Sequence, residues 1–444
     1  MAVDALLFPG SNRFLDERAH YSHLGSGYGT QAISLGPKGG TGKSPLAYGV
    51  ATILACYTKA KVLLFNIDTA RKKFGRVGFT PKRGLAQALV DVRRDGGNQL
   101  DRDVFKRCIS NVDLRSLGLP RGYNPAGELF VGSLVSEADN FDAAKSEYAR
   151  YVNTRDSGRD LFSYDLARII KENSLGFDYV IIDAPADASS LVTEVAGISD
   201  IMLASVDVSL DDSAESFENL VRDFISYDAK SAFDGLLPLK YIDYLFKMYP
   251  YMFSTQYQDG SGSLAGFRDV LAARAKQDNE ARARKGESRI DYVGIFDRIL
   301  LDTTYYVLDV RGPDRNERRL RLLERRIEDA FGVSVVPVAV LPFNSTMNND
   351  WRDGRISAAT RPDLPISLAY GGIAEFVQSY DRSTRTLRGE SSDIVGTMSS
   401  SVRYGILDGV KRRISGKRPE HLFDMRREMN DIARYSRFQR EKSL

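Results

Sequence analysis

The stretch Gly36-Pro-Lys-Gly-Gly-Thr-Gly-Lys-Ser44 decides the fold of this 444-residue chain. The apolar run Gln31 to Leu35 before it predicts a strand, and the apolar-rich segment from about Lys43 to Lys59 predicts a helix. Glycines between a strand and a helix let backbone N–H groups approach a phosphate, and the helix N-terminus adds its positive dipole end. Lys43 supplies a charge, and the Ser44 hydroxyl suits Mg²⁺. The sequence therefore predicts a phosphate-binding loop formed by Gly39, Gly40, Thr41, Gly42, Lys43, Ser44 and Pro45.

Strands and helices alternate along much of the remaining chain. Continuous apolar runs that end in polar residues are typical of buried parallel strands. Such runs, or shorter strand patterns, occur at 61–68, 129–132, 177–183, 201–206, 304–310 and 333–341. Helices are predicted at 161–172 and 317–330. This order predicts an α/β fold with a doubly wound, mainly parallel sheet and helices on both faces.

The pattern divides the chain into five predicted segments. A segment rich in Tyr and Phe and then in charge interrupts the alternation, and we interpret it as a largely helical insertion. The segments are an N-terminal extension at 1–29, the first part of the core at 30–226, the insertion at 227–300, the second part of the core at 301–380, and a basic C-terminal extension at 381–444.

Two of the predicted strands end in acids. Asp68 closes the run that begins at Lys61, and Asp183 closes the run that begins at Phe177. Parallel strands place their carboxyl ends at one edge of the sheet, so both acids are expected near the phosphate-binding loop. Four apolar residues followed by an acid form a Walker B pattern, in which the acid holds Mg²⁺ directly or through water. Ser44 and Asp183 are therefore the predicted Mg²⁺ residues.

Composition excludes several classes of protein. Hydrophobic residues make up 43% of the chain and charged residues 27%, which is typical of a soluble globular protein and not of a disordered one. Cys56 and Cys108 lie in no Cys-x-x-Cys pair, which argues against a disulfide framework, a zinc site or a metal cluster. The N-terminus lacks a positive region before its short apolar run, and no stretch reaches the roughly 20 apolar residues of a membrane span. A cytoplasmic location is expected.

Positive charge is concentrated at the C-terminus. Residues 381–444 contain 15 basic and 9 acidic side chains, although the whole chain has a net charge of only +3. The basic side chains Lys411, Arg412, Arg413, Lys417 and Arg418 lie opposite an approximately apolar helical face. Three interpretations remain open: contact with DNA phosphates, contact with anionic lipid, or a solvated helix packed on its own domain.

The loop also resembles that of a known family. A lysine at position 38, directly before Gly-Gly-Thr-Gly-Lys-Ser, gives the deviant Walker A motif of the ParA/MinD superfamily of ATPases. The resemblance covers about residues 30–225 and 300–380. It implies ATP and Mg²⁺ as cofactors and a homodimer formed on ATP binding, in which Lys38 reaches the partner's phosphates. It also implies that Asp68 positions or activates the attacking water.

Four positions depart from the family pattern. Asn66 replaces the first acid of the Asp-x-Asp motif, and Ala186 replaces the second proline after Asp183. At the base-recognition strand Asp309 replaces the usual Asn, while Pro342 matches the later loop. Pro45 removes an N–H that could approach the α-phosphate, although proline is acceptable in a first helical turn. ATP remains the expected nucleotide.

The resemblance implies a function in plasmid or chromosome partition. Such a protein would hydrolyse ATP slowly, bind nonspecific DNA on the nucleoid, and be stimulated by a centromere-binding partner. One alternative is a membrane-associated positioning ATPase of the MinD type, which would bind lipid through the basic residues at 404–418. Another is a nucleotide-binding adaptor with little turnover, which the departures at Pro45, Asn66 and Asp309 favour.

Overall fold

The structure of this chain is a computed structural model that describes part of its residues. The described residues are 29–36, 39–69, 83–97, 102–120, 123–136, 139–152, 160–186, 189–197, 199, 201–207, 264–286, 305–310, 336–342 and 345–379. The predicted helix at 317–330 lies outside them.

The described part alternates between strands and helices. The strands are β1 (Thr30–Leu35), β2 (Lys61–Asn66), β3 (Ile109–Val112), β4 (Glu128–Ser133), β5 (Tyr179–Asp183), β6 (Ile201–Asp207), β7 (Tyr305–Val310) and β8 (Val336–Pro342). The helices are α1 (Lys43–Tyr57), α2 (Leu85–Arg94), α3 (Arg102–Arg107), α4 (Phe141–Tyr151), α5 (Leu161–Glu172), α6 (Ser190–Gly197), α7 (Leu264–Arg284), α8 (Ser345–Arg352), α9 (Ser357–Thr360) and α10 (Pro365–Ser379). A short 3₁₀ helix spans Leu114–Leu117.

The strands form one eight-stranded sheet in the order β3-β4-β2-β5-β1-β6-β7-β8. Every neighbouring pair runs parallel except β3 with β4 at the edge. The predicted doubly wound, mainly parallel sheet is confirmed. β1 lies near the middle, with β2 to β5 on one side of it and β6 to β8 on the other, so a switch in strand order falls beside the loop that follows β1.

Helix α1 lies at the centre of the core. All of its residues except Pro45 are buried, as expected of a helix that is apolar around its whole circumference. One side packs on β1, β2, β4 and β5, and the other side packs on α9 and α10. Gly49 allows the close approach of α10, because a Cβ there would lie 2.4 Å from the Tyr370 ring.

The opposite face of the sheet is also covered. Successive residues of a strand point to opposite faces of the sheet. Leu64 belongs to the hydrophobic core cluster that contains the residues of α1, whereas its neighbours Leu63 and Phe65 are fully buried outside that cluster. The Phe65 ring stacks on Phe105 of α3, with centroids 6.1 Å apart. Helices α2, α4, α5 and α6 pack among themselves, and α2 contacts α3. The prediction of helices on both faces is confirmed.

The insertion and the segment boundaries are described only in part. Helix α7 lies within the predicted insertion at 227–300, so the expected helical character holds for this stretch. The proposed boundaries of the five segments remain predictions. No helix in the described ranges is long and apolar enough to span a membrane.

Candidate nucleotide-binding site

The glycine-rich loop connects the carboxyl end of β1 to the start of α1. Gly40 and Gly42 have φ values of +86° and +90°, in the left-handed region that favours glycine. Gly39 and Gly40 are exposed, and a Cβ on either would meet no atom within 4 Å. The outer part of the loop is therefore an open backbone surface that a phosphate could approach.

The inner part of the loop is held tightly. The Ser205 hydroxyl of β6 donates to the carbonyl of Thr41, and the Ser34 hydroxyl of β1 donates to the carbonyl of Lys43 at 3.0 Å. The Leu46 N–H donates to the Gly42 carbonyl at 2.9 Å, which begins the helical hydrogen bonding. Lys43 is buried, with 6% of its surface exposed. Lys43 is the first residue of α1, where the helix dipole and the lysine charge both attract an anion.

Ser44 and Asp183 meet at the base of the loop. The Ser44 hydroxyl donates to Asp183 Oδ1 at 3.0 Å, although the two residues are 139 positions apart. Asp183 is the last residue of β5 and is fully buried. Parallel pairing of β1 with β5 places Ser34 opposite Asp183, and this register brings the acid beneath the loop.

Asp68 lies just beyond the end of β2 and is 5% exposed. β2 pairs with β5 so that Asn66 is opposite Asp183, and the Ile67 N–H donates to the Asp183 carbonyl at 2.9 Å. The Asn66 side chain accepts a hydrogen bond from the Asp68 N–H at 2.9 Å. The two acids predicted from the sequence therefore share one edge of the sheet, beside the loop.

Tyr48 is a site neighbour that sequence reasoning missed. It is buried on α1, and its ring packs edge-on against Trp351, with centroids 5.2 Å apart. Burial raises the pKa of the Tyr48 hydroxyl well above its usual value, and the charges of Asp183 and Asp68 raise it further. The effect of both acids on this pKa places the Tyr48 side chain close to the site. Its spacing of four residues from Ser44 was the available signal, because such residues share one helix face.

The oxygen groups present fit a hard divalent cation. A serine hydroxyl and a carboxylate 3.0 Å apart are the ligand types that Mg²⁺ uses when it also contacts substrate phosphates and retains several waters. The open backbone at Gly39 and Gly40 fits the phosphates themselves. Ser44 and Asp183 are therefore suited to hold Mg²⁺, with Lys43 beside them for phosphate charge.

The predicted base-recognition residues lie farther along the same sheet edge. Asp309 pairs with Asp207 of β6 and with Leu341 of β8, and Pro342 is the last residue of β8. Both lie near the carboxyl ends of their strands, on the β6 side of β1. Pro45, the last residue of the predicted phosphate-binding loop, lies in the first turn of α1 and is half-buried.

Several predicted residues lie outside the described ranges. Lys38 is one of them, as are the basic residues Lys411, Arg412, Arg413, Lys417 and Arg418. Cys56 and Cys108 are both buried and carry free thiols.

The loop between β1 and α1, the acid at the end of β5 and the parallel sheet together give this chain the P-loop NTPase fold. No protein family model and no curated protein sequence matches the chain.

Several solved structures that resemble the chain are ParA and MinD ATPases. A ParA family ATPase from Chlorobium tepidum is 12% identical, with a TM-score of 0.42, over 80% of this chain and 99% of that one. The cell division ATPase MinD from Pyrococcus furiosus is 14% identical, with a TM-score of 0.41, over 79% and 98%. The septum site-determining protein MinD from Pyrococcus horikoshii, complexed with Mg-ADP, is 13% identical, with a TM-score of 0.41, over 79% and 95%.

Proposed function

We propose that this chain is a Mg²⁺-dependent ATPase that acts as a nucleotide-controlled dimerisation switch in plasmid or chromosome partition. One observation carries the enzymatic part of the proposal: the phosphate-binding loop, the Ser44–Asp183 pair and Asp68 lie at the carboxyl ends of three adjacent parallel strands. Phosphoryl transfer requires these groups in one place, because its catalysis consists mainly of positioning and charge stabilisation.

Each residue of the site has a distinct task in this proposal. The loop N–H groups bind phosphate oxygens, and Lys43 neutralises charge on the β- and γ-phosphates. Ser44 and Asp183 hold Mg²⁺, which when bound polarises the phosphate oxygens. The Asp68 carboxylate accepts a hydrogen bond from the attacking water and orients it toward the γ-phosphorus. Asp309 and Pro342 are proposed to contact the base.

The proposed dimerisation switch rests on the resemblance of the loop sequence to the deviant Walker A motif of the ParA/MinD superfamily. Lys38 would reach the phosphates bound by a second copy of the chain, so that ATP stabilises the dimer. The dimer would bind nonspecific DNA through basic surfaces that include Lys411, Arg412, Arg413, Lys417 and Arg418. A centromere-binding protein would accelerate the slow hydrolysis and so release the dimer from DNA.

ATP turnover by the purified full chain, with and without nonspecific duplex DNA at two salt concentrations, tests this proposal. Lys43→Ala and Asp68→Ala serve as controls for the site. We expect slow turnover that both substitutions abolish and that DNA raises less at the higher salt, because phosphate contacts release counterions.

A parallel measurement with vesicles of anionic lipid separates the alternatives. DNA stimulation without vesicle flotation supports the partition switch. Vesicle flotation in ATP without any effect of DNA would replace it with membrane-associated positioning. Tight ATP binding without turnover under any condition would replace it with an adaptor.

A further inference from the structure

Asn66 occupies the position where the resembling family has the first acid of its Asp-x-Asp motif, and its surroundings in the structure are specific. It is the last residue of β2 and is only 1% exposed. Its carbonyl accepts from the Leu134 N–H at 3.0 Å, and the next N–H, that of Ile67, donates to the Asp183 carbonyl at 2.9 Å. The backbone is therefore fixed from both neighbouring strands up to Ile67.

Beyond Ile67 the chain leaves the sheet, and a side-chain hydrogen bond holds the next part of the backbone in place. Asn66 Oδ1 accepts from the Asp68 N–H at 2.9 Å and so closes a local turn over two residues. Asn side chains make this turn readily because their short oxygen reaches the backbone two positions ahead. The turn determines where the Asp68 side chain leaves the backbone.

We infer that Asn66 is a positioning residue for Asp68: its amide oxygen holds the backbone after β2 so that the Asp68 carboxylate faces the γ-phosphate end of the loop. This inference rests on the proposed function, in which Asp68 orients the attacking water. In this role Asn66 acts through the backbone of Asp68 and not through a contact of its own with the nucleotide.

An amide supplies this hydrogen bond without adding charge. Asn66 is opposite Asp183 across adjacent strands, which lie about 4.8 Å apart in a sheet. The acceptor at position 66 is therefore the feature that the turn requires, and the amide provides it without a third negative charge beside Asp68 and Asp183.

Two substitutions separate the acceptor from the shape of the side chain. Asn66→Leu keeps a similar volume but removes the acceptor, and Asn66→Asp restores an acceptor. We expect Asn66→Leu to lower kcat by roughly tenfold to a hundredfold, because small misplacements of catalytic groups have effects of this size. The Kd for ATP should stay within about twofold, since the loop and Lys43 are unchanged. Asn66→Asp should recover most of the lost kcat.

A double-mutant cycle with Asp68→Ala gives the decisive readout when it is measured as single-turnover hydrolysis of labelled ATP over long incubations, because this assay quantifies the residual rate that lies below the limit of steady-state turnover. If Asn66 acts through Asp68, Asn66→Leu causes no further loss in the Asp68→Ala background. An equal further loss there, or a Kd for ATP that rises in parallel with the loss of kcat, would overturn the inference and indicate a merely structural role. Urea unfolding of each variant shows whether folding is intact.

The positioning role of Asn66 and the proposed role of Asp68 can be refuted separately. Loss of turnover in Asp68→Ala together with native turnover in Asn66→Leu would overturn the positioning role alone. Native turnover in Asp68→Ala would overturn the proposed role of Asp68 and, with it, the role of Asn66.

Discussion

Gly36 directly follows β1 and packs closely against residues of the phosphate-binding loop, so replacing it with alanine should impair both stability and nucleotide binding. A Cβ at this position would lie 2.8 Å from the Thr41 hydroxyl, 2.9 Å from Cδ of Lys43 and 2.9 Å from the Ser205 carbonyl. Normal carbon–oxygen and carbon–carbon contacts are about 3.3 Å and 3.5 Å or longer, so the new methyl group overlaps all three by about 0.4 to 0.6 Å.

The Ser205 carbonyl cannot retreat, because β6 is paired with β1 on one side and β7 on the other. The loop and the Lys43 side chain must therefore move. Overpacking of this kind destabilises a fold by about 1 to 3 kcal/mol. A displaced lysine also loses a charge-assisted hydrogen bond to phosphate, which contributes about 1.5 to 3 kcal/mol. Since 1.4 kcal/mol is tenfold in affinity, the Kd for ATP should rise by about tenfold to a hundredfold.

Urea unfolding and equilibrium binding of a fluorescent ATP analogue measure the two effects of Gly36→Ala. The matched control is Gly39→Ala, because a Cβ at Gly39 meets no atom within 4 Å. Its free energy of unfolding should differ from native by no more than about 0.5 kcal/mol, as at an ordinary surface site. Native stability and native ATP affinity in Gly36→Ala would refute the described packing of the loop.

Three further predictions concern Mg²⁺, helix packing and the thiols. Ser44→Ala removes a predicted Mg²⁺ ligand, so the Mg²⁺ concentration for half-maximal turnover should rise by about tenfold, and an unchanged Mg²⁺ titration would exclude that role. Gly49→Ala should destabilise the chain despite better helix propensity, and become stabilising by up to about 1 kcal/mol in a Tyr370→Ala background, as measured by urea unfolding. Burial raises the pKa of Cys56 to about 12 and that of Cys108 to about 11, so neither should react with DTNB at pH 8 until the chain unfolds. Rapid labelling of the native chain would contradict this burial.

The sequence predicted the elements that bury continuous apolar surface. Strands β2 and β5 are short apolar runs that end in polar residues, and each was located to within a few positions. The glycine-rich loop was recognisable because phosphate binding limits which residues fit between a strand and a helix. The two acids followed from parallel topology, which places strand ends at one edge.

Elements whose stability comes from tertiary contacts were not predictable in the same way. Strand β3 is four half-exposed or exposed residues at the sheet edge, with no apolar run to mark it. Helix α10 contains Gly371 and Gly372, which disfavour an isolated helix, and it is held by packing on α1. From the sequence, Asn66 is only a departure that replaces the first acid of the Asp-x-Asp motif, because its hydrogen bond to the Asp68 backbone depends on a turn that residue identity alone does not specify.

The packing of α9 and α10 on α1 has a consequence for synthesis on the ribosome. Helix α1 ends at Tyr57, whereas the helix that covers its outer side ends only at Ser379. At about 5 to 20 residues per second, roughly 300 intervening residues take about 15 to 60 s to translate. During that interval the nascent chain presents the apolar outer side of α1 uncovered, so this helix is where a ribosome-associated chaperone would find its binding site.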